Sequence, residues 1–200
     1  IATAEVTLAG YHADHVFNYK DLPQKYVGVS HCFRQEAGAY GKYSKGLYRV
    51  HQFTKIEMYA FCTPQQSDQM HTDFLNLEEK IWQGLEIPYR VLEMCDADLG
   101  AQAVRKYDLE AWMPGKGENG EWGEITSTSN TTEFQARRLN IKYQNNEGKN
   151  QFTHTLNGTA IAVSRAIVAI LENFQTKNQE VAIPKVLQPY MGGRTLINRK

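Results

Sequence analysis

The residues best suited to chemistry in this sequence are arginines and carboxylates set at short intervals. Arg34 and Glu36 stand two apart in a run over residues 25–36, and Arg49 and Glu57 share one parity in a second run over residues 47–61. Alternate residues of an extended chain share a face, so the pattern predicts all four on one side of a long hairpin. Ion pairs across an exposed sheet are the plain explanation. Forked recognition of phosphate is the chemical one. Arg165 is a second anomaly, because it falls in the most apolar stretch of the chain, where an unpaired guanidinium is strongly disfavoured. Either a carboxylate of the chain or an anionic ligand must meet it. In Glu124-Ile125-Thr126-Ser127 a carboxylate and a hydroxyl are the oxygens a hard cation such as Mg2+ takes, though the same residues fit a simple strand end. Thr3-Ala4-Glu5 reads on its own as a helix start with Thr3 as the cap.

Alternation predicts that residues 25–36 and 47–61 are strands, the first with Val27, Val29 and Phe33 on one parity. The loop between them carries Gly38, Gly41, Gly46, Lys42 and Lys45, a composition that lets backbone approach a phosphate closely. Pro64 opens a helix whose inward stripe is Met70, Phe74, Leu77, Ile81 and Leu85, ending near Gly84 and Pro88. A strand is expected over 89–94, a short helix over 99–105 and strands over 107–113 and 121–128, followed by a polar break and a further strand over 139–144. Asn157 and Gly158 precede an expected buried helix, with Val163, Ile167, Ile170, Leu171 and Phe174 inward and Ala160, Ala162 and Ala166 allowing close packing. Residues 184–193 close the chain as an irregular tail. Short connections favour a mostly antiparallel sheet and an α+β fold.

Two hundred residues are enough for one ordinary domain with its own core. Lys plus Arg and Asp plus Glu both number 22, so no global charge excess points to nucleic acid or a membrane surface. Cys32, Cys62 and Cys95 are too widely spaced for a zinc or CxxC redox motif, and a reducing compartment is the simplest expectation. The apolar stretch over 161–171 is too short for a membrane span. The chain opens on Ile1 with no initiator Met, and is expected to be a piece of a longer one whose compartment, cytosol or organelle matrix, stays open.

Taken together the segments are far more specific. Cys32-Phe33-Arg34-Gln35-Glu36-Ala37-Gly38 followed by Gly46-Leu47-Tyr48-Arg49-Val50-His51-Gln52-Phe53-Thr54-Lys55-Ile56-Glu57 resembles motif 2 of a class II aminoacyl-tRNA synthetase of the seryl family, over about residues 26–61. Thr3-Ala4-Glu5, Glu124-Ile125-Thr126-Ser127, Phe134-Gln135-Ala136-Arg137-Arg138 and Thr155-Leu156-Asn157-Gly158-Thr159 with Arg165 resemble later blocks of that family, the last being motif 3 over about 155–175. The resemblance covers nearly the whole chain as one partial catalytic domain, an antiparallel sheet flanked by helices, with motif 1 and the N-terminal coiled-coil arm of the family outside it.

The resemblance implies ATP-dependent activation of L-serine to seryl-adenylate and its transfer to tRNA(Ser), in a homodimer without a membrane. In the family pattern Arg34 bridges the serine carboxylate and the α-phosphate, with Arg165 on the terminal phosphates as the second catalytic arginine. Gln35, Glu36 and the Val50 main chain lie on the ATP side, together with Glu124, Ile125, Thr126 and Ser127, of which Glu124 and Ser127 hold Mg2+. Thr3, Ala4, Glu5, Arg34, Glu57, Asn157 and Thr159 form the serine pocket. Such a pocket rejects alanine and glycine, which leave its polar groups unpaired. Ser164 stands where a glycine is common in that family, and Thr159 keeps the hydroxyl of a serine. The alternative from another class is a synthetase-like paralogue that binds partners without catalysis; such relatives lose an ATP-binding arginine or a motif 2 carboxylate, and Arg34, Glu36, Glu57, Glu124 and Arg165 are all present.

Overall fold

The computed structural model describes residues 1–36 and 46–198; the loop residues Gly38, Gly41, Lys42 and Lys45, with the expected closure of that loop over a nucleotide, lie outside them. In chain order the elements begin with α1 (Ala4–Gly10), β1 (Val16–Asn18), β2 (Gln24–Phe33), β3 (Gln52–Cys62) and α2 (Pro64–Gly84). They continue through β4 (Tyr89–Glu93), β5 (Arg105–Met113), β6 (Glu121–Thr132), α3 (Phe134–Arg138), β7 (Lys142–Gln144) and β8 (Asn150–Phe152). The last are β9 (His154–Ala162), α4 (Val163–Asn173), β10 (Val181–Ala182) and β11 (Leu196–Ile197).

Six strands form the main sheet in the order β2-β3-β9-β6-β5-β4, each pair antiparallel, as the short connections require. A small sheet pairs β1 parallel to β7 and β7 antiparallel to β8. Helices α2 and α4 pack on one face of the main sheet, in a core that includes Trp82, Leu109, Ala111, Ile125, Ala166 and Ala169. On the other face α1 and the small sheet meet β3 in a second core around Phe17, Tyr59, Phe61, Ile141 and Tyr143. Among the described residues no helix is long and apolar enough to cross a membrane.

The α2 helix starts where expected, with Pro64 in its first turn and a reciprocal cap between Thr63 and Gln66. Its buried stripe differs: Leu77 is 47% exposed, and Glu78 takes the inward place between Phe74 and Trp82. The reason is spacing, since 74, 78 and 82 advance by four and stay in line with the sheet.

Several boundaries also move. β2 ends at Phe33 and β3 begins at Gln52, so Arg34, Glu36 and Arg49 sit beyond the paired ladder and not on a hairpin face with Glu57. Glu36 leaves the extended conformation altogether, at φ 53°. The helix expected over 99–105 is absent; a 3-10 turn over Asp96–Asp98 precedes Gly100 at φ 73°, and β5 begins at Arg105. The polar break after Thr128 is instead the end of β6, because its hydroxyls and amide find buried partners: Thr128 donates to the Asn157 carbonyl, Asn130 to Ser67 and Thr131 to the Thr155 carbonyl. Only Lys142–Gln144 of the strand expected over 139–144 forms, after the short α3.

The largest shift is at β9. Asn157, Gly158, Ala160 and Ala162 belong to a central strand, and the helix starts at Val163. Ile167 and Leu171 are then about two-fifths exposed, while Ala166 and Ala169 face inward. The tail after Pro184 carries a 3-10 turn over Lys185–Met191 inside a small antiparallel β10–β11 pair.

Candidate active site

The site is assembled at the end of the sheet where β2 and β3 part. A cleft there is lined by Arg34, Glu36, Arg49, Glu124, Ser127 and Arg165, with Tyr48, Val50, Phe53, Lys55, Ile125, Thr126, Thr159, Ala162 and Ser164 completing its walls. Residues 34–55 and 159–165, far apart in sequence, thus line a single cavity.

Each arginine is held by a different device. Arg34 donates from Nε to the Ala2 carbonyl at 3.2 Å, and its guanidinium lies 5.1 Å from the centre of the Phe53 ring. Arg49 donates to Glu36 at 2.5 Å, and this hydrogen bond is the main reason the Glu36 carboxyl is held below the usual carboxylate range. Arg165 sits in the first turn of α4, donates to the Glu124 carbonyl at 2.9 Å and pairs with the Glu124 carboxylate at 3.2 Å. The carboxylate required by the apolar surroundings of Arg165 is therefore Glu124. Beneath it the Tyr48 ring lies 4.7 Å from the guanidinium, its hydroxyl donating to the same Glu124 carbonyl at 2.8 Å. Burial pushes the Tyr48 phenol up to about 12, so it remains a donor across the ordinary pH range.

Next to Lys55 and Thr159 of the cleft wall lies a cluster of polar side chains, Glu57, Glu5, Gln135 and Asn157. Glu57 is almost fully buried beside Lys55, with which it pairs, and the Thr159 hydroxyl lies 3.5 Å from it. Burial, opposed by Lys55 and reinforced by Glu5, places the Glu57 carboxyl above the usual range. On the far side Glu5 accepts from Gln135 at 2.6 Å and from the Asn157 amide at 3.1 Å. Gln135 is itself held by the Tyr59 hydroxyl at 2.7 Å and the Thr155 hydroxyl at 3.0 Å. Two carboxylates thus stand close to one another with hydroxyl and amide groups around them, polar partners of the kind that an ammonium and a hydroxyl take.

Most of the expected residues converge here, and a few play other parts. Thr3 caps α1, its hydroxyl accepting from the Glu5 amide at 3.2 Å. The Ala4 methyl packs toward Gly28 and not into the pocket. Gln35 is exposed and does not line the cleft. Ile125 is buried in the core and the Thr126 hydroxyl donates to Glu78 at 3.0 Å, while both residues contribute to the cleft wall. Tyr48, Phe53 and Glu78 belong to the site or lie beneath it without having been marked by type or spacing. The one available signal was the interval from Phe74 to Glu78 to Trp82.

Glu124 and Ser127 bring a partly exposed carboxylate and a hydroxyl to one wall. Hard oxygen donors in that number fit Mg2+, which keeps most of its shell for phosphate and water. Among the described residues no group of three or more His, Cys, Asp or Glu side chains is arranged around a metal position.

The chain is similar to known proteins over its whole length. It is 59% identical over 192 residues to a serine--tRNA ligase of Treponema denticola, 96% of this chain and 45% of that protein. Its fold matches that of a seryl-tRNA synthetase from Pyrococcus horikoshii complexed with ATP, at TM-score 0.94 and 51% identity, over 100% of this chain and 44% of that one. A cytoplasmic serine-tRNA ligase from Naegleria fowleri in complex with AMP gives TM-score 0.94 at 44% identity, over 100% of this chain and 46% of that one. The chain thus spans a little under half the length of these relatives. With its residues 1–174 matched by the model of the tRNA synthetase class II core domain (G, H, P, S and T), the chain belongs to the class II tRNA synthetase core-domain family.

Proposed function

We propose that this chain is the catalytic core of a serine--tRNA ligase, which joins L-serine to ATP and passes the seryl group to tRNA(Ser). The observation that carries the proposal is the arginine-walled cleft with a polar cluster at its edge: Lys55 and Thr159 line the cleft and also contact Glu57, while Asn157 beside Thr159 donates to Glu5. Relatives of this core are described with ATP and with AMP, which supports a nucleotide in the cleft.

The chemistry follows from charge. A serine carboxylate oxygen attacks the α-phosphorus of ATP, the α–β bridging bond breaks, and pyrophosphate leaves with its electron pair. Bringing an anion to a polyphosphate is unfavourable in water, and Arg34 in the cleft wall neutralises both partners as the new bond forms. Arg165, released from or shared with Glu124, offers a second fork to the outer phosphates. Glu57 and Glu5 hold the ammonium, and Thr159 and Asn157 take the hydroxyl. The Phe53 ring and the Val50 main chain supply a flat, apolar wall for a base. Mg2+ at Glu124 and Ser127 would neutralise phosphate charge when bound. No side chain needs to act as a nucleophile; the chain contributes positioning and fixed charge. In the second step the terminal ribose hydroxyl of the tRNA attacks the seryl carbonyl and AMP departs. tRNA binding and a homodimer belong to the whole protein, and this core supplies the active centre.

Retention of Arg34, Glu36, Glu124 and Arg165 in one cleft, with Glu57 against its Lys55 and Thr159, weighs against a non-catalytic paralogue. Serine-dependent ATP–pyrophosphate exchange tests the proposal without tRNA. The full-length protein is expected to support exchange, and Arg34→Ala to lower it on the order of a hundredfold or more. Absence of exchange in a folded full-length protein supplied with Mg2+ would overturn the enzymatic proposal.

A further inference from the structure

Beneath the Glu5–Glu57 polar cluster, on the opposite face of the sheet, lies a carboxyl with no surface exposure at all: Glu78 of α2. One of its oxygens, Oε2, accepts from Thr126 at 3.0 Å, and the other, Oε1, has no hydrogen-bond partner. Burial is the chief reason that it keeps its proton well above the usual carboxylate range; Thr126 and Lys55 oppose this, and Glu57 and Asp108 reinforce it. An unpaired buried polar atom is normally selected against, so its position calls for a cause.

That position is under Gly158. A Cβ added to Gly158 would meet Glu78 Oε1 at 2.9 Å, Thr128 Oγ1 at 3.1 Å and Met58 Cε at 3.2 Å. Side chains alternate along a strand, so where Gly158 turns toward α2 its neighbours Asn157 and Thr159 turn toward the pocket. Those neighbours are the two that meet Glu5 and Glu57. The Thr128 hydroxyl beside the same spot donates to the Asn157 carbonyl at 3.0 Å. The carboxyl of Glu78 cannot swing clear, because it is enclosed and tethered to Thr126.

We propose that Glu78 is a positioning residue that occupies the place of a side chain at position 158 and so sets the height of Asn157 and Thr159 in the amino-acid pocket. The proposal rests on the activity proposed above, and deepens it: discrimination of the small substrate depends on a residue that never touches it. Glycine at 158 and the carboxyl at 78 form a complementary pair, each requiring the other.

A double-mutant cycle in the full-length protein tests this, with Gly158→Ala, Glu78→Ala and the double variant read by thermal stability and by KM for serine and for ATP in pyrophosphate exchange. Gly158→Ala is expected to lift the strand and raise KM for serine on the order of tenfold while KM for ATP moves less than about twofold. Adding Glu78→Ala makes room for the new methyl and should return KM for serine to within about threefold of the Glu78→Ala value, with stability non-additive in the same sense. Additive effects overturn the pairing. A Gly158→Ala protein that melts earlier with an unchanged KM for serine overturns the positioning role and leaves only packing. If the unaltered protein supports no exchange, the function proposed above fails first, and the stability cycle alone then decides whether the two positions are coupled.

Discussion

In the proposed role Glu57 must be ionised to hold an ammonium, yet its burial favours the neutral acid, with Lys55 and Thr159 set against that. Because its carboxyl titrates above the usual range, lowering the pH neutralises it earlier than an ordinary glutamate. KM for serine should therefore rise as pH falls toward 5, by up to about tenfold per unit once Glu57 is mostly protonated, while KM for ATP changes less. A KM for serine that is flat between pH 8 and pH 5 would count against Glu57 as the ammonium partner. The charged residues of the site were legible because arginine in an apolar helix, or two apart from a carboxylate, is conspicuous by type. Glu78 was not, since Leu77 beside it fits the same three-and-four spacing and apolar patterning ranks leucine ahead of glutamate. Tyr48 and Phe53 were equally silent, because aromatic residues fill cores far more often than they line nucleotide clefts.

At the level of elements, the distance between α1 and the sheet decides whether Glu5 reaches the pocket. Gly28 in the middle of β2 is the spacer: an added Cβ would meet Ala4 Cβ at 3.1 Å and Leu8 Cδ1 at 3.2 Å. Gly28→Ala is expected to push α1 outward, lengthen the Glu5–Asn157 contact and cost about 1–3 kcal/mol of stability by overpacking. Relief by Leu8→Ala, measured as recovered KM for serine in the double variant, would identify the crowding as the cause; no relief would point to the extended backbone of β2 itself. The existence of β2, β3, α2, β5 and β6 was readable from alternation and from caps, which are local. β9 was not, because Ala160 and Ala162 suit a helix on local preference and become strand only through partners on both sides. The polar end of β6 escaped notice for the same reason, its hydroxyls being satisfied by residues distant in sequence.

Across the whole molecule, coverage of the main sheet is uneven. Helices α2 and α4 do not extend over β2, and its outward side chains Val27, Val29 and Phe33 are each more than half exposed. An uncovered apolar face at the edge of a sheet favours association. The 200-residue chain on its own is expected to self-associate at micromolar concentration, and Val27→Thr with Val29→Lys to shift it toward monomer in sedimentation; unchanged association would place the sticky surface elsewhere. The strand order carries a consequence for how the chain reaches this state. β9 lies at the centre of the sheet yet is the last of its six strands to be synthesised, and it joins the β2–β3 hairpin to the β4–β5–β6 meander. Until it docks, β3 and β6 each present an unpaired edge, and Glu5 has no Asn157, 152 residues further along, to meet. On the ribosome the chain must therefore carry two half-sheets with open edges until its final quarter emerges, and the pocket comes into being at the moment the two halves close.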